Sequence, residues 1–372
     1  MPEHKSARRE NMHMLTVTTD FCGGNAVIHS VTEDTIVFEP DIRDTEGPWF
    51  YWAFCVRGAQ GKTVRFTQPN SRWVGYFGAA VSHDLYHWAW SNTAENNYAD
   101  FTYHFGEDED CVYFAHNMLY HPSRFHRLCE RLGVSVNIPV IDRMGTPIPA
   151  AVLGDGANNI LLTARHHCCE ATGDYIMEGI MEEFAVNPIP GCRITAIPFV
   201  DADGVVHGDQ GKNRRPHDHN RDYADDLYPG VRYVKELVGK GDIVCAFDLH
   251  SPWHFGGSND KLFIVHNSNA HLTDEFIRFG QILEDEMAKD PIAMRYDMKN
   301  DMPIGVSWNQ GGSINKSCGA WCGSQVGVKI AFSFETTYFG EDGNIVSQER
   351  LVHSGRCFCR AIARYLKEKG LE

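Results

Sequence analysis

Between Asn158 and Glu170 the chain reads NNILLTARHHCCE, an apolar run that ends in small and polar residues and then in His167-Cys-Cys-Glu170. The spacing H-x-x-E lets an imidazole and a carboxylate from one tight loop face the same point, as two ligands of a catalytic zinc often do. Such an ion needs a third protein ligand and an open position for water. About one H-x-x-E is expected by chance in a chain of this His and Glu content, and His104-Phe-Gly-Glu107 has the same spacing in a different setting. Position separates the two. His167 and Glu170 stand just past the end of a candidate buried strand, where open α/β sheets place their ligands.

Two further apolar runs end in the same manner. Asp242-Ile-Val-Cys-Ala-Phe-Asp-Leu-His250 delivers a histidine at its carboxyl end, and Val328-Lys-Ile-Ala-Phe-Ser-Phe-Glu335 delivers a glutamate. A single such residue usually marks only the point where a strand meets solvent. Here three strand ends are expected to bring His167, Glu170, His250 and Glu335 toward one rim. A fifth piece is Asp201-Ala-Asp-Gly204, followed by GKNRRPHDHNRDY from Gly211 to Tyr223. This segment, rich in Arg, Asn and His within an acidic protein, reads as an anion site, because a guanidinium can hold a carboxylate with two parallel hydrogen bonds. The plainer reading is a solvated loop. A second metal at His217 and His219 is the rival functional reading, set behind the first because no carboxylate or histidine partner stands at a recognised spacing.

The elements that must position these residues follow from the pattern of the chain. From about Leu15 to Met118 short extended runs alternate with turns: Ala26 to Val31, Thr35 to Glu39, Trp49 to Val56, Thr63 to Gln68, Tyr76 to Val81 and Cys111 to Ala115. Many short strands at this spacing predict an antiparallel β-sandwich over residues 1–118. Its aromatics Trp49, Phe50, Tyr51, Trp52 and Phe54 read as core filling rather than as a binding platform. From His121 onward extended runs alternate with helical ones. Helices are expected at Pro122 to Leu132, Gly173 to Ala185, Tyr228 to Val238, Asp274 to Lys289 and Ser347 to Lys369. Strands are expected at Asn158 to Ala164, Arg193 to Val200, Asp242 to Leu249, Lys261 to His266 and Val326 to Phe334. Such alternation predicts a three-layer α/β/α domain with a mixed sheet over residues 119–372, an α/β fold class for the chain.

Composition bounds the partners. A chain of 372 residues, 43% hydrophobic and 12% aromatic, can furnish a large core and suggests two domains. A formal charge of −15 disfavours nucleic acid or an anionic membrane as the main partner, since both reward a basic surface. No apolar run reaches the roughly 18 residues of a membrane helix, and MPEHKSARRENMHM lacks the apolar core of a secretion signal. A cytoplasmic protein is expected, with its twelve cysteines reduced. Cys318-x-x-x-Cys322 and Cys357-x-Cys359 have no partner pair at zinc-ribbon spacing.

The order HxxE, DxNR, a strand ending in DLH and a strand ending in FE resembles the zinc carboxypeptidases. The phrases DFCGGNAV and WFYWAFCVRGAQGKTVRF narrow the likeness to cytosolic carboxypeptidase-like proteins with a leading β-sandwich, and VDADG with DHNRDY is similar to their PDG and DLNR elements. The resemblance implies one Zn2+ per chain held by His167, Glu170 and His250, with Glu335 as general base. It implies that Asp218 accepts the second ring proton of His167 and that Asn220 and Arg221 hold the terminal carboxylate of a peptide or peptide-like substrate. Where the family carries a further arginine that polarises the scissile carbonyl, an ungapped match places Gly211. Lys212, Arg214 or Arg215 are left to take that part, with Arg214 the expected one. No tyrosine is assigned the family's mobile active-site position. Gly311 to Gln325 falls where the family builds its side-chain pocket and lacks the arginine of glutamate-trimming forms, leaving Lys316 as a positive charge if it points inward.

The reaction implied is hydrolysis of a C-terminal amide by metal-activated water. The alternatives are a zinc-dependent N-acyl amino-acid amidohydrolase similar to aspartoacylase, which needs the same arginine for a free carboxylate, and a non-catalytic peptide-binding module. Side-chain preference and oligomeric state are not encoded in any of these motifs.

Overall fold

Alternating apolar and polar residues between positions 16 and 115 form two sheets that bury their shared face. The structure, a computed structural model, describes residues 15–95, 97–310 and 316–372. One sheet takes β1 (Thr16–Thr18), β4 (Ala53–Arg57), β6 (Ala80–Ser82), β7 (Ala89–Trp90) and β9 (Cys111–Ala115), in the order β1-β4-β9-β6-β7. The other takes β2 (Val27–Val31), β3 (Thr35–Glu39), β5 (Thr63–Thr67) and β8 (Asp100–His104), in the order β2-β3-β5-β8. Ile36, Phe38, Val64, Phe66 and Phe101 from one sheet meet Phe54, Val56, Val112 and Phe114 from the other, all fully buried. Period-two alternation is the cause: Ile36 and Phe38 point inward while Thr35, Val37 and Glu39 remain partly exposed. The expected sandwich is present with one departure, since β3 and β5 pair in parallel. His104, the other H-x-x-E histidine, ends β8 and places its ring 3.0 Å from the hydroxyl of Thr63.

The second half is built on a seven-stranded mixed sheet of β10 (Val136–Ile141), β11 (Pro147–Leu153), β12 (Asn158–Ala164), β13 (Cys192–Ile197), β14 (Ile243–His250), β15 (Phe263–Val265) and β16 (Ile330–Glu335). Its order is β10-β11-β13-β12-β14-β16-β15. The β10–β11 hairpin was not expected from the sequence. It is antiparallel to the rest and shifts register between Asn137 and Val140, so its pattern is broken. The helices are α1 (Pro122–Leu132), α2 (Thr172–Val186), α3 (Ala202–His207), α4 (Pro229–Val238), α5 (Thr273–Ala288), α6 (Cys318–Gly323) and α7 (Gln348–Glu368). Every residue of β14 is buried, as a central strand covered on both faces must be. Phe247 and Leu249 face α2, α5 and α7: Phe247 packs against Phe279 and Phe358, and Gly173 of α2 closes on Leu249. Asp248 and His250 alternate onto the opposite face. Helices α2 and α7 cross so closely that a Cβ at Gly179 would fall 2.0 Å from the carbonyl oxygen of Val352.

Candidate metal centre

Strands β12, β14 and β16 are adjacent, parallel and in register, with Thr163 beside Asp248 and His250 beside Glu335. The chain leaves β12 for β13 on one side and places β14 on the other, so the order in which strands are added reverses between β12 and β14. The crevice at such a reversal, beyond the carboxyl ends of the strands, is where open α/β sheets bind ligands. His167, Glu170, His250 and Glu335 all lie there because three neighbouring strands end at one level.

The loop between β12 and α2 carries the H-x-x-E pair, and Arg165 shapes it. Arg165 adopts a left-handed conformation with φ of 60°. Its Nε donates to the carbonyl oxygen of Cys168 at 2.6 Å and its Nη1 to Asp174 Oδ2 at 2.8 Å. The loop then folds back so that His167 Nδ1 lies 2.9 Å from Glu170 Oε1, while His250 Nδ1 lies 2.7 Å from Glu170 Oε2. One donor atom from each of His167, Glu170 and His250 lies within 4.8 Å of the others, and all three residues are buried.

Both imidazoles turn their far nitrogen toward a carboxylate. His250 Nε2 is 2.6 Å from Asp248 Oδ2, and His167 Nε2 is 3.4 Å from Asp218 Oδ1, an atom pair with no other hydrogen-bond partner among the described residues. Such an arrangement fixes the tautomer and leaves both Nδ1 atoms to face a shared point. The electrostatics call for positive charge at that point. Burial alone would lower the pKa of His250, yet Asp248 and Glu170 hold it well above its ordinary value. Burial would raise Glu170, but His167, His250 and Lys212 hold it well below the carboxylate range. Two imidazoles and a carboxylate, oriented from behind, fit a divalent cation of the zinc type.

Around this cluster a cavity is walled by Lys212, Asn220, Arg221 and Glu335, with His266 and Trp308 on its far side. Burial pushes the Glu335 carboxyl up to about 7, and its Oε2 has no hydrogen-bond partner among the described residues. Asn220 accepts from the Cys318 amide at 2.8 Å and places its amide nitrogen 3.0 Å from His250 Nε2. Arg221 donates to the carbonyl of Asn220 at 2.9 Å, and no carboxylate among the described residues pairs with it. Lys212 Nζ lies 3.9 Å from Glu170 Oε1.

Arg214 lies elsewhere, which corrects the choice made from the sequence. Its guanidinium is held by Asp44 at 2.8 Å, Asp201 at 2.6 Å and Asp209 at 3.0 Å in a separate cavity behind the H-x-x-E loop. Three carboxylates occupy its donors, and of Lys212, Arg214 and Arg215 it is Lys212 that lines the cavity. Arg215 is exposed and pairs with Glu46. Gly211 also has a steric reason to be glycine: φ is +78°, and a Cβ there would fall 2.4 Å from the Cys168 amide nitrogen. An arginine cannot occupy that position. Lys316 is exposed and absent from the cavity wall, as is any tyrosine among the described residues, while 311–315 of the expected side-chain pocket lie outside them.

Asp248 is the residue that sequence reasoning passed over. It accepts from Thr163 Oγ1 at 2.8 Å, lies 2.7 Å from His166 Nδ1 and backs His250. The signal was present in D-L-H, since residues two apart on a strand share a face.

The chain superposes on a metallo-carboxypeptidase from Burkholderia cenocepacia with a TM-score of 0.79, covering 96% of this chain and 100% of that one at 17% identity. This chain has the metallocarboxypeptidase fold. The same metallocarboxypeptidase architecture recurs in a Pseudomonas aeruginosa metallo-carboxypeptidase in complex with (2-guanidinoethylmercapto)succinic acid, at a TM-score of 0.77, 19% identity and coverage of 95% of this chain and 99% of that one. Coverage of this extent takes in the N-terminal sheets as well as the α/β layers. In sequence the chain is 24% identical to cytosolic carboxypeptidase 2 of Danio rerio over 84% of its length, and it spans 50% of that protein. It is 25% identical to an uncharacterised protein of Zymomonas mobilis, over 78% of this chain and 88% of that one. No protein-family model matches the chain.

Proposed function

We propose that this chain is a zinc-dependent carboxypeptidase that removes the C-terminal residue of a peptide or peptide-like amide. The observation that carries the reading is the meeting of His167, Glu170 and His250 at adjacent strand ends with Glu335 beside them, inside this fold. His167 Nδ1, His250 Nδ1 and the Glu170 carboxylate would hold the ion, and Asp218 and Asp248 would keep the rings oriented. A bound zinc ion lowers the pKa of its water toward neutrality and polarises a carbonyl. Arg221, the guanidinium in the cavity wall without a carboxylate partner, receives the substrate's terminal carboxylate together with Asn220. Glu335 takes a proton from the attacking water and passes it to the amine nitrogen as the C–N bond breaks. Lys212 takes the part first given to Arg214, sharing the negative charge that develops on the carbonyl oxygen. On this reading the chain divides near residue 118 into a leading β-sandwich unit and the catalytic one. The name of the Danio rerio relative supports residence in the cytosol, and no described helix is long and apolar enough to cross a membrane.

The test is incubation of the zinc-loaded protein with peptides, dipeptides and N-acyl amino acids, read by mass spectrometry. Trimmed C-termini support the proposal. Cleavage confined to N-acyl amino acids would replace it with an amidohydrolase, and binding without cleavage would leave a peptide-binding module.

A further inference from the structure

Behind the H-x-x-E loop lies a second cavity, lined by Asp44, Asp142, Asp201, Asp203 and Asp209 and by the ring of His219. Asp142 follows β10, Asp201 caps α3, and His219 opens the short turn His219–Arg221. Arg214 neutralises part of this charge through Asp44, Asp201 and Asp209. No lysine or arginine among the described residues forms an ion pair with Asp142 or Asp203. Acidic crowding alone is not a site, but His219 supplies an independent sign. Its side chain is 2% exposed, and Nε2 is buried on the Asp201 side with no hydrogen-bond partner among the described residues. Asp201 Oδ1 lies 3.7 Å from that nitrogen, too far for a hydrogen bond and suited to a shared ion. Tyr228 stacks on the imidazole at 3.7 Å between ring centroids and fixes its plane.

We propose that Asp142, Asp201 and His219, whose ligand atoms lie within 4.8 Å of one another, form a second divalent-cation site. Two carboxylates and an imidazole suit a first-row ion such as Zn2+ or Mn2+. The ion binds through Nε2, and the ring gives up its 3.4 Å contact between Nδ1 and Arg214. Binding here would tie the end of β10 and the start of α3 to the turn that carries Asn220 and Arg221. Spacing could not reveal the site, because its ligands come from segments about sixty and twenty residues apart. His217 takes no part, since its Nε2 is engaged by Asp222 at 2.7 Å.

The test is a Zn2+ titration of the metal-depleted full chain by calorimetry, with elemental analysis after dialysis, for wild type, His219→Gln, Asp142→Asn and His250→Ala. Circular dichroism checks folding, and the two site variants lie on separate segments so that misfolding of one leaves the other informative. Wild type is expected to bind two equivalents, and each folded variant one. If His250→Ala keeps both equivalents while His219→Gln loses one, this site stands and the proposed catalytic centre falls. A wild type that binds a single equivalent, abolished in His250→Ala, would overturn the second site. So would two equivalents persisting in both His219→Gln and Asp142→Asn.

Discussion

Glu335 and Lys212 face the same cavity, and their removal should be felt in turnover rather than in metal content. Glu335→Gln keeps the shape of the side chain while removing its basicity. Loss of a general base costs about 10²- to 10⁴-fold in rate, so kcat should fall by at least that range with zinc retained. Full activity of the folded variant would remove Glu335 from the mechanism. Lys212→Met should lower kcat by about 10²-fold, equivalent to about 3 kcal/mol of lost charge stabilisation. An unchanged kcat for Lys212→Met, with a fall only in Arg214→Met, would return that role to Arg214. The sequence exposed His167, Glu170, His250 and Glu335 because each ends an apolar run. It hid the distinction between Lys212 and Arg214, two residues apart in one loop, because only the fold sends one into the cavity and commits the other to three aspartates.

At the scale of elements, the β12–α2 loop depends on Arg165. This residue is 4% exposed and ties Cys168 to Asp174, and burial pushes the Asp174 carboxyl up to about 7 despite the adjacent guanidinium. Removing one member of a buried ion pair typically costs about 3 to 5 kcal/mol. Arg165→Met should therefore lose about 3 kcal/mol in urea unfolding and also weaken zinc binding, because His167 and Glu170 share the loop. Wild-type stability with wild-type zinc affinity would show that the loop holds its shape without Arg165. The long helices and the central strands were legible from periodicity: α1 was expected at its observed bounds, and α2, α4, α5 and α7 within a residue or two at each end. The β10–β11 hairpin and the six-residue α3 and α6 were not, because a register shift and short length leave no sustained period.

In the molecule as a whole, the segment between β3 and β4 braces the site from outside. Gln210, fully buried, donates through Nε2 to the carbonyl of Tyr51 at 2.8 Å and accepts from its amide at 2.9 Å. Asp44 accepts from the amides of Gln210 and Gly211 at 2.8 Å. Beyond that brace, His116, one residue past β9, meets His254, after β14, at 2.7 Å. The two rings are surrounded by Phe50, Trp73, Tyr338 and Phe339, and no carboxylate among the described residues pairs with either. Burial lowers His116 to about 3, and burial with the neighbouring His116 lowers His254 well below its ordinary value. In the unfolded chain both titrate near 6.5. Between about pH 6.5 and 3 the unfolded state therefore binds more protons, and stability falls as pH falls. From pH 7 to 5 the contribution of His116 alone is about 2 kcal/mol. His116→Gln should flatten this part of the acid limb in urea unfolding, and identical slopes for variant and wild type would refute the assignment. The sandwich itself was readable from strand spacing, whereas its contacts with the site loop join residues more than a hundred positions apart and leave no local trace.

The convergence of His167, Glu170 and His250 on one ion is tested most directly by anomalous diffraction at the zinc edge from crystals grown with zinc. The expected result is a peak about 2.1 Å from His167 Nδ1, His250 Nδ1 and a Glu170 oxygen. No peak among these three atoms in zinc-replete crystals would contradict it, whether or not density appears at Asp142, Asp201 and His219.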